Sequence, residues 1–464
     1  MKRRINSDIK SHLIRNTSYT LLLALAVCVI PLALAQRNTT KTKRRQAEMG
    51  HAFPANTIVV TNTSDSGPGS LRDALAIAND GDTIDATGIS GTISLTSGEL
   101  QITHAVTING PGPESLLVVG GGTRVFDNLA SDVTISGFFI SGGSAPGDNG
   151  GGILNEGGNS ATLSLNNCVV AGNSADFGAG IFNFNGKLRV NKCTINGNAA
   201  AFSGGGIANS AFDGAATLII TNSTISSNFT DIKDGKDGGG ITNGAGGSAL
   251  AVASVIVINS TFSGNSANKN GGGIANAADV GQFARATITH STFSDNSAGF
   301  NANGDSIYNA GAAEFEIGST ILNLNQATFG HNIFNAGRAT SLGYNLSNDD
   351  GAGILTGPGD QINTDPELFH LQDNGGPTFT QKPLPGSPAI DAGDPSFTPP
   401  PFFDQRGPAF QRVSGSRIDI GSLELQRWQT DSHSTATATA TLTATARPTP
   451  TPKLRPTPAP HPTP

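Results

Sequence analysis

The sequence predicts an all-β fold, a right-handed parallel β-helix, and this prediction depends on two repeated phrases and their spacing. The first phrase, Gly-Gly-Gly-Ile-x-Asn or a looser copy of it, stands at Gly150–Asn155, Gly178–Asn183, Gly204–Asn209, Gly238–Asn243, Gly271–Asn276 and Gly304–Asn309. The second, Asn-Ser-Thr-Ile/Phe-Ser-x-Asn, is clearest at Asn222–Asn228 and Asn259–Asn265. The anchoring isoleucines recur every 26–34 residues without a helical pattern between them. A period of this size is typical of a solenoid.

The second phrase marks a corner of the chain. Leu218 and Ile220 alternate before it, as one face of a β-strand requires. Ile225 follows five positions later, an odd step that a straight strand would send to the opposite face. The chain must therefore bend near Asn222, and Asn tolerates the left-handed backbone of such a corner. We expect stacked corner asparagines to form an amide ladder. We also expect the glycine triplets to form another corner, where a Cβ would clash.

Each coil should contain three short strands, and it can bury its apolar face only against the coils above and below. The recurring Asn, Ser, Thr and Gly residues are therefore explained by structure first. In the last clear copy, Phe315 and Ile317 lie one residue later relative to Ser319–Ile321 than their counterparts do. We expect an altered corner there.

Composition limits the function and the chemistry. Gly is 60 of 464 residues and charged residues are 14%, which predicts many turns and few ion pairs. A net charge of −7 argues against a nucleic-acid partner, because phosphate binding needs clustered Lys and Arg. Cys168 and Cys193 take the same slot in consecutive coils. We expect two buried small hydrophobic residues, with a disulfide between them as the alternative.

The N-terminus has the features of a Sec-type signal peptide. A basic segment precedes the apolar run Leu21–Leu34 and an A-x-A site that ends at Ala35. We predict a signal peptide over 1–35, cleaved after Ala35, and a basic disordered leader over 36–56. The apolar run is too short for a membrane span, so the mature chain should have no transmembrane segment. A secreted or cell-envelope location is expected.

The β-helix and its N-terminal cap should occupy residues 57–335. Ser70–Asn79 reads as one short amphipathic helix with Ser70 as its N-cap, and it would cover the open end of the first coil. Its apolar face should contain Leu71, Ala74, Leu75 and Ala78. Early strands are predicted at Ile58–Thr61, Thr92–Leu95, Ala105–Ile108, Leu116–Val119 and Val133–Ile135.

The chain beyond the repeats divides into two parts. Residues 336–425 are rich in loops, Gly and Pro, and we expect them to cap the C-terminal end of the solenoid. Residues 426–464 are Thr/Ala and then Pro/Thr repeats, which cannot form a core. They should form a disordered stalk, open to O-glycosylation.

Two families share these motifs. Leu371–Gly393 and Asp404–Glu424 resemble the bacterial choice-of-anchor Q proteins, which are secreted right-handed parallel β-helix proteins with varied C-terminal surface anchors. The Gly-rich phrases, with Phe262–Asn265 and Phe293–Asn296, are similar to the GGAI and FxxN repeats of polymorphic outer membrane proteins, some of which are adhesins. No apolar segment or sorting signal follows the stalk, which departs from the anchored pattern and leaves surface attachment open. The resemblance implies no catalytic residues.

Three functions remain open. The first is an adhesive or structural surface scaffold whose polar faces meet glycans or other envelope components, and which we expect to be monomeric. The second is a polysaccharide lyase or glycoside hydrolase, since β-helices of the pectate-lyase type host such chemistry; a lyase needs carboxylates with Ca²⁺ and a base, and a hydrolase needs paired carboxylates. The sequence names no catalytic or cofactor-binding residue, so an enzyme is the less favoured interpretation.

The third function is a calcium-stabilised scaffold without activity. Its weak metal candidates are Asp231, Asp234 and Asp237, and the run Asn348-Asp349-Asp350. The first three are also the best acidic cluster for the enzymatic alternative, but a simple exposed loop explains them better. Neither group matches a defined calcium loop such as the EF-hand pattern. Ca²⁺ is the one cofactor that the sequence leaves open, and the ligand, the binding face and the state of the two cysteines remain to be found.

Overall fold

The computed structural model describes residues 55–158, 161–231, 237–299, 302–324 and 331–426. They are nearly all β, with about 10 turns of parallel solenoid and 3% helix, which confirms the predicted parallel β-helix. The expected signal peptide, nearly all of the expected leader and the stalk beyond Gln426 lie outside the described residues. No helix in the described part of the chain is long and apolar enough to cross a membrane.

The elements follow one another in chain order. The first half contains β1 (Thr57–Val59), α1 (Leu71–Ile77), β2 (Thr83–Asp85), β3 (Gly91–Ser94), β4 (Leu100–Ile102), β5 (Thr107–Asn109), β6 (Leu116–Val119), β7 (Phe126–Asn128), β8 (Asp132–Ser136), β9 (Phe139–Ser141), β10 (Ser144–Asn149), β11 (Ile153–Asn155), β12 (Thr162–Asn166), β13 (Val169–Ala171), β14 (Ser174–Phe177), β15 (Ile181–Phe184) and β16 (Lys187–Asn191). The second half contains β17 (Thr194–Asn196), β18 (Ala199–Ser203), β19 (Ile207–Ala211), β20 (Ala215–Thr221), β21 (Thr224–Ser226), β22 (Phe229–Thr230), β23 (Ile241–Ala245), β24 (Val252–Ile258), β25 (Thr261–Ser263), β26 (Ile274–Ala278), β27 (Phe283–Thr289), β28 (Thr292–Ser294), β29 (Ile307–Asn309), β30 (Ala313–Gly318), β31 (Ile321–Asn323), β32 (Ile333–Asn335), β33 (Arg338–Gly343), β34 (Leu346–Ser347) and a 3₁₀ turn, η1 (Gly351–Gly353).

These strands form four parallel sheets. Sheet A has the order β1-β2-β5-β8-β12-β16-β20-β24-β27-β30-β33, and sheet B has β3-β6-β9-β13-β17-β21-β25-β28-β31-β34. Sheet C has β4-β7-β11-β15-β19-β23-β26-β29-β32, and the short sheet D has β10-β14-β18-β22. One coil thus runs from sheet A through B to C, with D inserted between B and C in four coils. Strands β33 and β34 continue sheets A and B past residue 335.

The core is a stack of like residues. Leu163 pairs in register with Leu188, and both side chains are fully buried. Phe262 and Phe293 occupy the same place in consecutive coils, and their rings stack with centroids 4.5 Å apart. Each fully buried aliphatic or aromatic side chain contributes about 1.5–3 kcal/mol relative to exposure. Stability therefore accumulates coil by coil, as a solenoid requires.

The predicted corner is confirmed. Asn222 and Asn259 have left-handed backbones, with φ of 51° and 55°. The glycine corner is confirmed as well: a Cβ added to Gly206 would lie 2.6 Å from the carbonyl oxygen of Gly240 in the next coil. No side chain fits at that distance, which explains why the phrase keeps its glycines.

The amide ladder exists, but the prediction placed it at the wrong asparagines. A first ladder is formed by the last residue of each Gly-Gly-Gly-Ile-x-Asn phrase and its neighbours in the stack, with Nδ2 of each residue donating to Oδ1 of the next at 2.6–2.8 Å: Asn128, Asn155, Asn183, Asn209, Asn243, Asn276, Asn309 and Asn335. A second ladder joins the last residue of the other phrase at 2.8–3.0 Å: Asn173, Asn198, Asn228, Asn265 and Asn296.

The corner column itself is linked only in part. Asn259 donates to Asn222 at 3.1 Å, but Lys192 and His290 hold the same corner in other coils, with φ of 54° and 51°. A corner requires only a positive φ, whereas a buried ladder requires a group that both donates and accepts. The corner and the ladder are therefore formed by different residues of the repeat.

The expected altered corner near Ser319 is also wrong. Ser319 itself takes the left-handed corner, with φ of 50°, and Phe315 and Ile317 pair in register with the preceding coil. Thr320, not Ser319, therefore corresponds to the serine of the phrase, because the motif was aligned one residue too early. The irregular pairing comes one coil later, where Gly318 is opposite Gly343.

The N-terminal helix α1 forms as predicted. The Ser70 side chain caps it by accepting from the backbone N–H of Asp73 at 3.1 Å. Leu71, Ala74 and Leu75 are buried, and the helix packs on β2 and β4 of the first coil. It therefore covers apolar residues that no earlier strand could cover.

The region after β34 does more than cap the end. Leu355 packs into the main core beyond the last coil, as an end cap should. Residues 366–426, called the C-terminal segment below, instead fold back along the outer face of sheet B. Thr224 and Thr261 donate side-chain hydrogen bonds of 2.6 Å to Phe379 and Gln405 of this segment. The expectation of a cap over the end alone is corrected, because most of the region lies on the flank.

Cys168 and Cys193 are free thiols, and both are buried. The Cys168 backbone N–H donates to Sγ of Cys193 at 3.3 Å, so the two residues lie one above the other as predicted. They fill the core as small apolar side chains, and the alternative of a disulfide is not the form seen.

Candidate functional site

The three aspartates proposed as metal ligands are not brought together in the described residues. Asp234 lies outside them, while Asp231 and Asp237 stand on either side of the gap between β22 and β23. One Asp237 carboxylate oxygen accepts from the backbone N–H of Asn270 at 3.1 Å, so that side chain helps to align two coils. Neither Asp231 nor Asp237 belongs to a described group of three ligand side chains.

A different group has ligand spacing. His331, Asp349 and Asp350 each offer one ligand atom, and these atoms lie within 4.8 Å of one another. Nδ1 of His331 is 3.9 Å from a carboxylate oxygen of each aspartate. The run Asn348-Asp349-Asp350 had been singled out in the sequence, but His331 had not. It is distant in the chain, and only the stacking of β32 beside the end cap brings it near.

The chemistry of this group is that of an exposed site. His331 and Asp350 are mostly exposed, whereas Asp349 is held by hydrogen bonds from Asn332 N at 2.6 Å and Ser347 Oγ at 2.6 Å. An imidazole ligand suits zinc or a similar transition metal, while Ca²⁺ prefers oxygen atoms alone. The geometry therefore fits the calcium hypothesis less well than the sequence run suggested.

A depression of about 460 Å³ lies between α1 and β4, lined by Arg72, Glu99 and Gln101 among others. The cation in this depression is the Arg72 guanidinium, and its hydrogen bonds all serve the fold. The Arg72 guanidinium pairs with Asp65 at 2.7 Å and donates to the carbonyl oxygens of Gly98 and Glu99 at 2.7 and 2.8 Å. These bonds fasten the helix to the turn before β4 in the first coil, so we do not assign this depression a ligand.

A cluster of charged side chains is buried in the C-terminal segment. Arg406 pairs with Asp404 at 2.6 Å, with both side chains almost wholly inaccessible, and it also donates to the carbonyl oxygen of Glu424. Arg412 is fully buried and donates to the carbonyl oxygens of Asp419 and Gly421. These ion pairs and hydrogen bonds join different parts of the C-terminal segment to one another. The motifs that carry the family resemblance therefore hold the segment together.

Burial changes the pKa values of the carboxyl groups in this cluster. It raises the pKa of the Glu424 carboxyl well above its usual range, and the nearby Asp419 carboxylate raises it further. Burial likewise raises the pKa of Asp419. Such shifts accompany catalytic acids, but a glycan cannot reach groups that are 1–2% exposed. The cluster is structural.

A cluster of aromatic rings lies outside the main core, on sheets C and D. Phe177 and Phe202 stack with centroids 5.2 Å apart on neighbouring strands of sheet D, and Phe182 and Phe184 stack at 6.2 Å on β15 of sheet C. Phe177 and Phe184 are half-buried and pack against Leu154 and Phe182. We call these four phenylalanines the aromatic corner. Hydroxyls stand beside it, since Ser203 pairs in register with Phe177 and Ser210 with Phe184.

Sheet A carries one pair of outward carboxylates. Glu314 and Glu316 alternate on β30, and each pairs with an arginine of a neighbouring strand. Glu316 is 2.7 Å from Arg285, and Glu314 is 3.3 Å from Arg338. The alternation Glu-Phe-Glu is visible in the sequence and would have revealed this pair. The aromatic corner, in contrast, could not be predicted from the sequence. It depends on sheet D, which the repeated phrases do not predict.

Comparison with known proteins leaves the family open: no family model matches the chain, and no curated protein matches it.

Proposed function

We propose that this protein is a secreted or cell-envelope β-solenoid scaffold that binds glycans through the aromatic corner. The observation that carries the proposal is a set of three partly buried phenylalanines, Phe177, Phe184 and Phe202, clustered around the buried Phe182 on a rigid stack. Half-buried aromatic rings offer flat apolar surfaces of low conformational entropy, which suit the C–H faces of sugar rings.

The surroundings of the corner support this proposal. Ser203 and Ser210 lie beside the rings and provide hydroxyl groups for sugar hydrogen bonds. All the rings stand on or next to paired strands, which hold a binding surface more rigidly than loops do. The basic N-terminal segment followed by an apolar run supports export, and the polar, low-charge composition suits an extracellular scaffold.

A glycan array with the secreted chain tests the proposal. We expect binding to at least one class of glycan and a loss of at least about tenfold in affinity for Phe202→Ala and Phe184→Ala, since each change removes a ring from the surface. Phe402→Ala is the matched control, because Phe402 is 63% exposed but lies in the C-terminal segment. The proposal would be contradicted if no glycan on the array bound the protein, or if all three variants lost affinity equally.

The enzymatic alternative has one specific observation in its favour. Glu314 and Glu316 are two residues apart on a strand, so both carboxylates leave the same face of sheet A. Glycosidases use a pair of carboxyl groups that flank the bond to be cleaved. Every glycan that binds should therefore be assayed for new reducing ends and unsaturated products. Cleavage that Glu316→Gln abolishes would replace the scaffold proposal with a hydrolase or lyase.

The calcium-stabilised scaffold remains the third proposal. Melting of the protein with Ca²⁺ and with a chelator tests it directly, and an unchanged melting temperature would exclude it.

A further inference from the structure

The outer face of sheet A carries an apolar centre. Ile219 and Ile256 are in register on β20 and β24, and Ile258 is also half-buried. Val252 and Phe283 are in register on β24 and β27, and they are 41% and 37% exposed. A row that contains Ser254 and Arg285 lies between the two apolar rows, but large apolar side chains that remain outside the core still favour an interaction site.

The turns beside this centre extend it. Leu250 is 77% exposed just before β24, and Val280 is 98% exposed just before β27. Each lies next to an exposed apolar residue at the start of its strand, namely Val252 or Phe283. The apolar surface therefore continues from the sheet to its edge, and β24 lies at its middle.

Charges are arranged symmetrically about β24. Arg189 lies on β16, two strands before it, and Glu316 lies on β30, two strands after it. The two belong to one column, because pairing runs in register from Arg189 through Ile219, Ile256 and Thr287 to Glu316. Opposite charges thus stand at equal distances on either side of Ile256.

We infer that this face binds a second copy of the chain about a two-fold axis that runs parallel to β24, in the plane of contact in front of Ile256. A two-fold interface places each residue opposite its symmetry mate. Ile256 then meets Ile256 of the partner subunit, and Arg189 faces the partner's Glu316. Ile219 meets the partner's Thr287, and Ser164 meets the partner's Thr340, so no like charges oppose each other along this column.

The existing ion pair does not prevent this contact. Glu316 already pairs with Arg285 at 2.7 Å, but both side chains are about a third exposed or more. Such a surface pair contributes only about 0–1 kcal/mol, and a carboxylate has two oxygens with which to accept from a second guanidinium. Arg189 is exposed and can supply it.

The size of the face predicts a weak dimer. With the axis at β24, seven strands from β12 to β33 overlap. At about 4.8 Å between strands and about 3.3 Å per residue, the shared face covers roughly 500–600 Å² per copy. That is at the low end for specific interfaces, which bury about 800 Å² per partner. We therefore expect reversible association that depends on concentration, where the sequence alone had suggested a monomer.

The dimer would leave the aromatic corner free, because the corner lies on sheets C and D. Two corners in one particle would raise the apparent affinity for a repetitive surface without any new contact. The inference does not rest on the proposed function, since association is measured without glycan.

Sedimentation velocity of the secreted chain over a range of concentrations tests the dimer. The wild type should shift from monomer to dimer. Ile256→Lys sets two ammonium groups face to face and should abolish the shift. Arg189→Glu opposes the partner's Glu316, and it should raise the dissociation constant by at least about tenfold.

Two further variants decide the outcome. Arg189→Glu combined with Glu316→Arg restores opposite charges and should restore the dimer, which a merely damaged surface would not do. Thr107→Lys, on β5 outside the overlap, should dimerise like the wild type. A wild type that stays monomeric at every concentration overturns the inference, as does a double variant that fails to recover.

Discussion

The first asparagine ladder and the corner column both repeat along the stack, yet one is uniform and the other is not. Every position of the ladder from Asn128 to Asn335 is Asn, whereas the corner holds Asn, Lys, His or Ser. The ladder is buried, and each amide must donate to one neighbour and accept from another. The corner must only reach a positive φ. A repeated residue is thus strictly required where burial removes water as a substitute partner.

The largest effect should follow from breaking the ladder. Asn243 accepts from Asn209 at 2.7 Å and donates to Asn276 at 2.8 Å. Asn243→Ala leaves a buried acceptor without its donor and opens a small cavity, so we expect the free energy of unfolding to fall by about 2–4 kcal/mol. Urea denaturation measures it. Asn222→Gly, which keeps the corner conformation, should cost less than about 1 kcal/mol and serves as the control; equal losses would contradict the distinction.

The next effect concerns a corner that the C-terminal segment covers. Burial, with the nearby Arg412 cation, lowers the pKa of His290 to about 3, against an opposing attraction from Asp394. The folded state therefore holds fewer protons at this group than the unfolded state does. Its stabilising contribution is complete above pH 6.5 and is lost as the pH falls from 6.5 toward 3.

This pH dependence can be isolated by a variant suited to the corner. His290→Asn keeps a residue that tolerates the left-handed backbone. The stability of the wild type relative to this variant should fall as the pH is lowered from 7 to 4. Urea denaturation across that range measures the difference. Because Asp419 and Glu424 remain in both proteins, their titration cancels; parallel curves would show that His290 does not titrate as described.

The smallest effect tests the cost of a poor corner residue. Lys192 has φ of 54°, and the following coil has Asn at this place. A left-handed backbone costs most L-residues about 1–2 kcal/mol, and Asn less. Lys192→Asn should therefore stabilise the protein by roughly 0.5–1 kcal/mol. The reverse change, Asn222→Lys, should destabilise it in urea denaturation, and two changes of the same sign would refute the argument.

Much of the fold could be predicted from the sequence because local chemistry decides it. The corner at Asn222, the glycine contact at Gly206 and the cap at Ser70 each follow from a residue and its immediate neighbours. The identity of the ladder residues could not be predicted from the sequence, since asparagine occurs at the corner as well. What separates the two roles is the stacking of the coils, which brings each ladder amide within hydrogen-bond distance of the next one.

The candidate sites were less accessible to sequence reasoning. The sequence offers two local runs as calcium candidates, Asp231 to Asp237 and Asn348 to Asp350, whereas the group with ligand spacing joins the second run to His331. The aromatic corner depends on where sheet D places Phe177 beside Phe184. Such neighbours arise from stacking between coils and across a corner, which the order of residues does not display.

The C-terminal segment also has a consequence for the order in which the molecule assembles. Its hydrogen bonds join residues far apart in the chain: Ser422 donates to Thr292 across 130 residues, and Gln405 donates to Ser223 across 182. Contacts over such distances close large loops and form late in folding. The coils that carry these residues must therefore exist before the segment can dock. The C-terminal segment, which is synthesised after every coil, thus docks only on a completed stack.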